Sequence, residues 1–295
     1  MIAGSLLTRF APSPTGYLHL GHVVNAIYVW GVARRGDGKV LLRIEDHDRI
    51  RSRAEYEDAL LEDLEWLGFL ADRRREPVVR QSDRDAVYAA ALARLRRTHH
   101  VYACDCSRKI IGSERYDGRC RDRGLSEAPG RTLRVHMPRG LERFTDLRLG
   151  SVEQSPADQC GDLAIKDRDG NWTYQFAVTV DDIDQRVTLV IRGEDLLSST
   201  GRQIALARML GRATPPEFLH HPLIFASSGE KLSKSADDTG IRRLRAAGVS
   251  AAEVIGRAAA AVGLIREPRP LTAGKVDELL REPVGGGRTR PVPSA

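Results

Sequence analysis

Arg9-Phe-Ala-Pro-Ser-Pro-Thr-Gly-Tyr-Leu-His-Leu-Gly-His22 is the stretch on which the reading of the fold turns. An apolar run, Ser5 to Phe10, enters a turn rich in Pro and Gly. The turn ends at His19 to His22, and Val23, Val24, Ala26, Ile27 and Trp30 then follow a helical period. That is a strand, a loop and a helix start. A helix start offers unpaired N–H groups and the positive end of the helix dipole, so it favours phosphate. Gly21 lets a nucleotide lie close to the backbone. His19 and His22, three apart, can face the same way and donate hydrogen bonds to a phosphate gathering charge. Taken alone, two histidines in one turn are more often surface or cap residues.

A second stretch shifts that balance. About two hundred residues downstream comes Lys231-Leu-Ser-Lys-Ser235, close to Gly229. In this order and at this separation, the two stretches resemble the HIGH and KMSKS motifs of the class I aminoacyl-tRNA synthetases. The longer run from Arg9 to Gly16 is similar to the glutamyl/glutaminyl branch of that class.

Working outward, Gly36-Asp-Gly38 is a turn, and Lys39 to Asp46 is an apolar run of strand length that suits a buried parallel strand. It ends in Glu45, Asp46 and Asp48, at the sheet edge where open α/β folds bind ligands. Ser52 to Glu55 reads as a capping box for a helix through Tyr56, Leu60, Leu64 and Leu67, stopped by Gly68. Val78 to Gln81 reads as a strand, and Ser82 to Asp85 starts another helix. Alternating β and α of this kind argues for a doubly wound, Rossmann-type parallel sheet.

From Val101 the pattern breaks into a Cys/Gly/Arg-rich loop, then short β-type runs at 132–137, 162–166 and 172–180, with a hairpin turn at 168–171. This is an inserted α+β subdomain. Thr188 to Arg192 and His221 to Phe225 resume the strand pattern, separated by a helix from about Ser199 to Leu210. A helix from Ser250 and a shorter one at Val276 to Leu280 make a C-terminal helical region, and the Gly/Arg/Pro-rich end reads as disordered. The expected division is 1–100, first half of the catalytic domain; 101–187, the insert with a zinc site; 188–240, the second half; 241–282, helical; 283–295, tail.

Composition bounds the class. The 295 residues carry a net charge of +6, with 29% charged and 41% hydrophobic residues, as expected for an ample core and a soluble chain. The basic balance permits an RNA partner. No apolar run reaches the ~20 residues of a membrane span and no secretory signal is visible, so a cytoplasmic location and no membrane partner are expected.

Of the four cysteines, Cys104, Cys106 and Cys120 lie within seventeen residues, which suggests a metal or free thiols. Three thiolates and one further ligand complete a tetrahedral zinc site of structural kind. Tyr116, His99 and His100 are all near enough in sequence to be the fourth. The Cys-x-Cys…Tyr-x3-Cys pattern of glutamyl-Q-type synthetases, which the chain resembles, favours Tyr116.

The resemblance carries further implications, residue by residue. A class I synthetase joins an amino acid to AMP and passes the acyl group to RNA, a reaction that needs positioning and charge neutralisation. His19 and His22 would stabilise the ATP phosphates, with Gly21 giving the close approach. Lys231 and Lys234 would hold the β- and γ-phosphates, with Ser233 a further donor and Mg²⁺ accompanying ATP. The amino acid would be L-glutamate: Arg9, Ala11 and Ser13 would line its pocket, Glu45 would take the α-ammonium, and Tyr174 and Arg192 match the later glutamate-binding positions. An anionic side chain wants a guanidinium fork and an ammonium wants a carboxylate. Leu232 stands where the family motif has Met.

About sixty residues follow Ser235, too few for the anticodon-binding domain of the full-length enzymes. With that length, the resemblance implies the short glutamyl-Q type, and with it transfer of glutamate to the queuosine base in the anticodon of tRNA(Asp); a monomer is expected. The alternatives are a truncated glutamyl-tRNA synthetase charging an acceptor end, and a catalytically dead zinc-containing RNA-binding module. A small-molecule nucleotidyltransferase of the same superfamily is a weaker one.

Overall fold

The opening stretch folds as its pattern predicts. In the computed structural model, which describes residues 5–71, 77–112, 115–224 and 240–280, strand β1 (Leu7–Phe10) runs through the Pro-rich turn into helix α1 (Leu20–Arg35). Strand β2 (Lys39–Ile44), helix α2 (Ala54–Leu67), the short strand β3 (Val79–Arg80) and helix α3 (Asp85–Thr98) follow. β1 and β3 flank β2, both parallel to it. Gly68 ends α2 in the left-handed conformation, φ 81°, which glycine adopts without a Cβ clash. The Ser52–Glu55 capping box does not form: Arg53 is the N-cap, and the buried Ser52 hydroxyl makes no hydrogen bond.

Beyond β4 (Val101–Cys104) and the short helix α4 (Arg108–Ile111), strand β5 (Thr132–Val135) pairs antiparallel with β4 and with β8 (Leu163–Lys166), forming a separate three-stranded sheet. Between them, β6 (Glu142–Asp146) and β7 (Gly150–Gln154) form a hairpin that sequence periodicity did not reveal, followed by the short helix α5 (Pro156–Cys160). The run 172–180, expected as a strand, is instead the start of helix α6 (Tyr174–Asp184). Only Trp172 bridges back to Lys166, across the expected turn. Phe176, Ala177, Val178 and Val180 are all buried, so α6 shows no polar face, and its aromatic and β-branched residues imitate a strand.

Strand β9 (Leu189–Gly193) leads through a 3-10 turn at Glu194–Ser199 into helix α7 (Thr200–Met209), and then into strand β10 (Glu217–His221). This strand lies upstream of the expected 221–225 run, and Phe225 is outside the described residues. β9 pairs parallel with β10, β10 parallel with β6, and β6 antiparallel with β7. Thr188 N–H donates to Leu7 O at 2.9 Å, setting β9 beside β1. The two half-sheets thus lie side by side in the order β3-β2-β1-β9-β10-β6-β7, and the doubly wound expectation holds.

Helix α8 (Ile241–Ala246), helix α9 (Ala251–Ala261) and a 3-10 segment at Ala273–Leu280 close the described chain. Ser250 and Glu253 cap α9 reciprocally, a contribution of about 1 kcal/mol. α1 packs between the sheet and these elements, burying Val23, Ile27, Val29 and Trp30. Each such side chain contributes roughly 1.5–3 kcal/mol. The Lys231–Ser235 stretch and the 283–295 tail lie outside the described residues.

Candidate active site

β1 and β9 are adjacent, yet their following helices start far apart in sequence. A crevice opens at that point, beyond the carboxyl ends of the strands, where open α/β sheets take ligands. A cavity of about 570 Å³ occupies it. Its walls come from the ends of β1, β2, β9 and β10 and from the starts of α1 and α6. Arg9, Ala11, Ser13, His19, Gly21, His22, Glu45, Tyr174 and Arg192 all line it. One cavity therefore gathers the sequence-derived candidates that fall within the described residues outside the cysteine loop. Lys231, Ser233 and Lys234 fall outside those residues.

The histidine pair is built into the first turn of α1. His19 is the N-cap; its Nδ1 accepts the Gly21 N–H at 3.1 Å. The His22 Nδ1 accepts the His19 N–H at 3.2 Å, closing a capping box made of two imidazoles. Both Nδ1 atoms are acceptors, so a neutral ring carries its proton on Nε2. The rings sit 4.0 Å apart at the cavity wall. A Cβ at position 21 would stand 2.8 Å from the His19 ring, so the cap requires glycine there.

On the cavity floor the charges are paired. Asp182, from α6, accepts from Arg9 Nε at 3.1 Å and from Arg43 Nη1 at 2.8 Å. Arg43 is fully buried and also meets Glu45 at 3.3 Å and Asp181 at 3.7 Å. Arg84 and Tyr88 complete the cage around Asp181. Burial pushes the Glu45 carboxyl above its usual range, against the pull of Arg43 and Arg9. An ammonium entering the cavity would favour its charged form. Asp46 instead caps the Ser82 N–H, and Asp48 holds Arg51, so of these three acids Glu45 alone faces the cavity.

Arg192 is arranged differently. It is 4% exposed, and among the described residues its hydrogen-bond partners are neutral groups: His220 Nε2 at 3.1 Å, Gln203 Oε1 at 2.7 Å and Thr200 Oγ1 at 2.8 Å. Burial lowers its pKa, with Tyr174 opposing. A buried guanidinium that is hydrogen-bonded but not ion-paired is a receptor for an anion. His221, read from the sequence only as the start of a strand, also lines the cavity. Its Nε2 lies 3.0 Å from Asn25 Nδ2, it stacks on Tyr28, and burial pushes its pKa down to about 4. Asp182, Arg43 and His220 likewise gave no sequence signal, because their partners lie far along the chain.

Cys104, Cys106 and Cys120 come together, with their sulfurs all within 4.8 Å of one another. Cys106 and Cys120 Sγ are 3.5 Å apart, near the ~3.8 Å edge expected for a tetrahedral site with Zn–S of about 2.3 Å. Tyr116 is 3% exposed and its hydroxyl accepts the Cys120 N–H at 3.0 Å. Its backbone bridges to Gly161, where a Cβ would fall 1.7 Å from Tyr116 O. Arg123 Nη1 meets Cys120 Sγ at 3.3 Å, and Arg134 stacks over the Tyr116 ring. Burial raises the Cys104 thiol, but hydrogen bonds from Tyr116, the Cys106 backbone and Arg134 bring it below its usual value. Burial and the neighbouring thiols push Cys106 up to about 12. Adjacent guanidinium groups favour thiolates, the ligating form, so the donor set fits a soft cation. His99 bonds Thr98 and His100 stacks on Tyr102, and neither joins the thiol group.

Residues 5–255 match the family described as tRNA synthetases class I (E and Q), catalytic domain. A protein of Burkholderia cenocepacia named glutamyl-Q tRNA(Asp) synthetase is 45% identical over 249 residues, which is 80% of this chain and 82% of that one. Its namesake in Nitratidesulfovibrio vulgaris is 41% identical, over 87% and 86%. A glutamate–tRNA ligase of Frankia alni is 40% identical over 83% of this chain, which spans about half of that protein. The crystal structure of a glutamate–tRNA synthetase from Elizabethkingia anophelis superposes with a TM-score of 0.69 at 30% identity, covering 80% of this chain and 54% of that one.

Proposed function

This chain belongs to the catalytic-domain family of the class I glutamyl and glutaminyl tRNA synthetases, which are ligases, and from that premise we propose that it activates L-glutamate with ATP and passes the glutamyl group to the queuosine base in the anticodon of tRNA(Asp). The observation that carries the glutamate step is Arg192, a buried guanidinium that among the described residues is hydrogen-bonded by neutral groups, at the wall of a cavity that Glu45 also lines. The substrate's side-chain carboxylate pairs with Arg192 and with Arg9, and its α-ammonium with Glu45. Tyr174 closes the pocket beside Arg192.

The α-carboxylate oxygen then attacks the α-phosphorus of ATP, and pyrophosphate leaves with the electron pair of the broken P–O bond. The Nε2–H groups of His19 and His22 donate to phosphate oxygens as charge accumulates, and the α1 N-terminus adds its dipole. Lys231, Lys234 and Ser233 take the β- and γ-phosphates, with Mg²⁺ bound to ATP. The second step forms an ester with a hydroxyl of the queuosine ring and releases AMP. Cys104, Cys106, Cys120 and Tyr116 would hold one zinc ion, which ties the loop after β4 to the sheet of β4, β5 and β8 and takes no part in the chemistry. Two relatives named glutamyl-Q tRNA(Asp) synthetase, each matched over more than four-fifths of its own length, support the choice of tRNA(Asp) as acceptor.

The test has two stages. Glutamate-dependent ATP–pyrophosphate exchange without RNA is expected; its absence with folded, metal-replete protein would favour a non-catalytic RNA-binding module. Radiolabelled glutamate is then offered with tRNA(Asp) bearing or lacking queuosine. Transfer only to the queuosine-bearing RNA supports the assignment. Transfer to RNA lacking the base, abolished by periodate oxidation of its end, would show a truncated charging enzyme instead.

A further inference from the structure

Behind Arg192 runs a chain of buried side chains that none of the assigned roles uses. Arg192, His220 and Asp146 sit on three adjacent strands, β9, β10 and β6. His220 is in register with Arg192, and Asp146 stands at the end of β6 beside Phe218. All three are at most 4% exposed. Arg192 Nε donates to His220 Nε2 at 3.1 Å, and His220 Nδ1 lies 2.7 Å from Asp146 Oδ2. The same oxygen accepts the His220 N–H at 3.0 Å, while Oδ1 accepts the Arg148 and Leu149 N–H groups at 3.0 and 2.9 Å.

The geometry allows one tautomer. A guanidinium is always a donor, so His220 Nε2 must present its lone pair. The imidazole proton is therefore on Nδ1, facing the Asp146 carboxylate. The other charged group at His220 is Arg148, whose Nε donates to the His220 carbonyl at 2.5 Å. The consequence for charge is specific. Arg43 touches carboxylates directly and is neutralised by them. Among the described residues no carboxylate forms an ion pair with Arg192: Asp146 reaches it only through the intervening imidazole and Asp182 acts on it from a distance, so its orientation is fixed while its charge is left for the cavity.

We propose that Asp146 and His220 are positioning residues that aim Arg192 at the substrate's anionic side chain without cancelling its charge, and so set the preference for a carboxylate over an amide side chain. This rests on the reading of Arg192 as the glutamate-binding guanidinium. An amide offers no charge to pair with the guanidinium, so glutamine leaves it buried and uncompensated.

The test is exchange kinetics with glutamate, glutamine and ATP, together with ¹⁵N NMR of the histidine rings in the whole protein. In Asp146→Asn the amide can donate to Nδ1 and drive the proton to Nε2, where it opposes the Arg192 N–H. The glutamate KM is expected to rise about tenfold or more with the ATP KM unchanged. His220→Ala should do the same, and His220→Gln, which restores a neutral acceptor, should recover most of the loss. His220→Glu places a carboxylate on Arg192 and should narrow the glutamate-to-glutamine ratio furthest. The wild-type ring should show a protonated Nδ1. A wild-type Nε2–H tautomer, or equal shifts in the glutamate and ATP KM values, would overturn the proposal. Failure of wild-type exchange would instead overturn the functional reading, and the tautomer would still decide the positioning.

Discussion

The cavity floor and the cysteine cluster are both buried sets of polar side chains, but they reach electrical balance by opposite routes. On the floor, Arg9 and Arg43 meet Asp182, and Arg43 also meets Asp181 and Glu45, with no ligand needed. The partners come from β1, β2 and α6 and are as far as 173 residues apart in sequence. In the cluster, three thiols and a tyrosine crowd together from seventeen residues of chain, and one thiol is pushed up to about 12 while its neighbour is pulled down. The floor is preorganised by protein charges. The cluster has the donor set of a metal site.

The largest effect should therefore come from removing metal. A structural zinc in a peptide site is worth ~10–16 kcal/mol of apparent binding energy. Chelation should release one zinc per chain and speed hydrogen exchange across β4, β5 and the loop between them. β1, β2 and α1 should keep their protection. Equal loss of protection in both regions would show that the two are one cooperative unit. Unchanged protection everywhere would remove the metal from the account of the cluster.

That contrast also explains what could be read from the chain. The β1–α1 junction was legible because Pro, Gly and a helical period are local signals. The three close cysteines were legible because their spacing is local too. The floor was half legible: Arg9 and Glu45 follow from the resemblance and from charge complementarity, but Asp182 does not, since nothing near it in sequence announces Arg9 or Arg43. His220 and Asp146, 74 residues apart, were invisible for the same reason. β10 was displaced in the reading because Glu217 and His220 look polar, although His220 is buried. α6 was mistaken for a strand because burial on several sides removed the polar stripe that marks a surface helix.

The next largest effect should come from breaking the floor rather than the cluster. Arg43→Met keeps bulk but leaves Asp181, Asp182 and Glu45 without their shared cation. Removing one partner of a buried pair costs about 3–5 kcal/mol. Urea unfolding should show that loss, whereas Arg143→Ala, which breaks an exposed pair with Glu153, should cost within about 0.2–1 kcal/mol. Equal costs for the two variants would mean that the floor is not held by its charges.

The smallest effect calibrates both regions against a buried carboxylate that has no hydrogen-bond partner among the described residues. Asp63, on α2, is fully buried, and neither carboxylate oxygen has a hydrogen-bond partner among the described residues. Burial pushes its pKa up to about 6, with Arg242 opposing and Glu62 adding. The folded chain then holds this proton up to about pH 6, while the unfolded chain releases it near pH 4. Between those values the folded state binds more protons, so stability falls as pH rises through the window and stays low above it. Two pKa units correspond to about 2–3 kcal/mol, discounted by whatever the nearby arginines recover. Asp63→Asn abolishes the titration. Relative to wild type its advantage should grow by about 1–2 kcal/mol from pH 5 to pH 8 in urea unfolding, nearly all of the growth falling below about pH 6.5 and the advantage persisting above it. Parallel stability curves would mean that Asp63 finds compensation in solution. The cost of an unpaired buried carboxylate in this chain, and with it the value of pairing Asp181 and Asp182 on the floor, would then be smaller than the geometry implies.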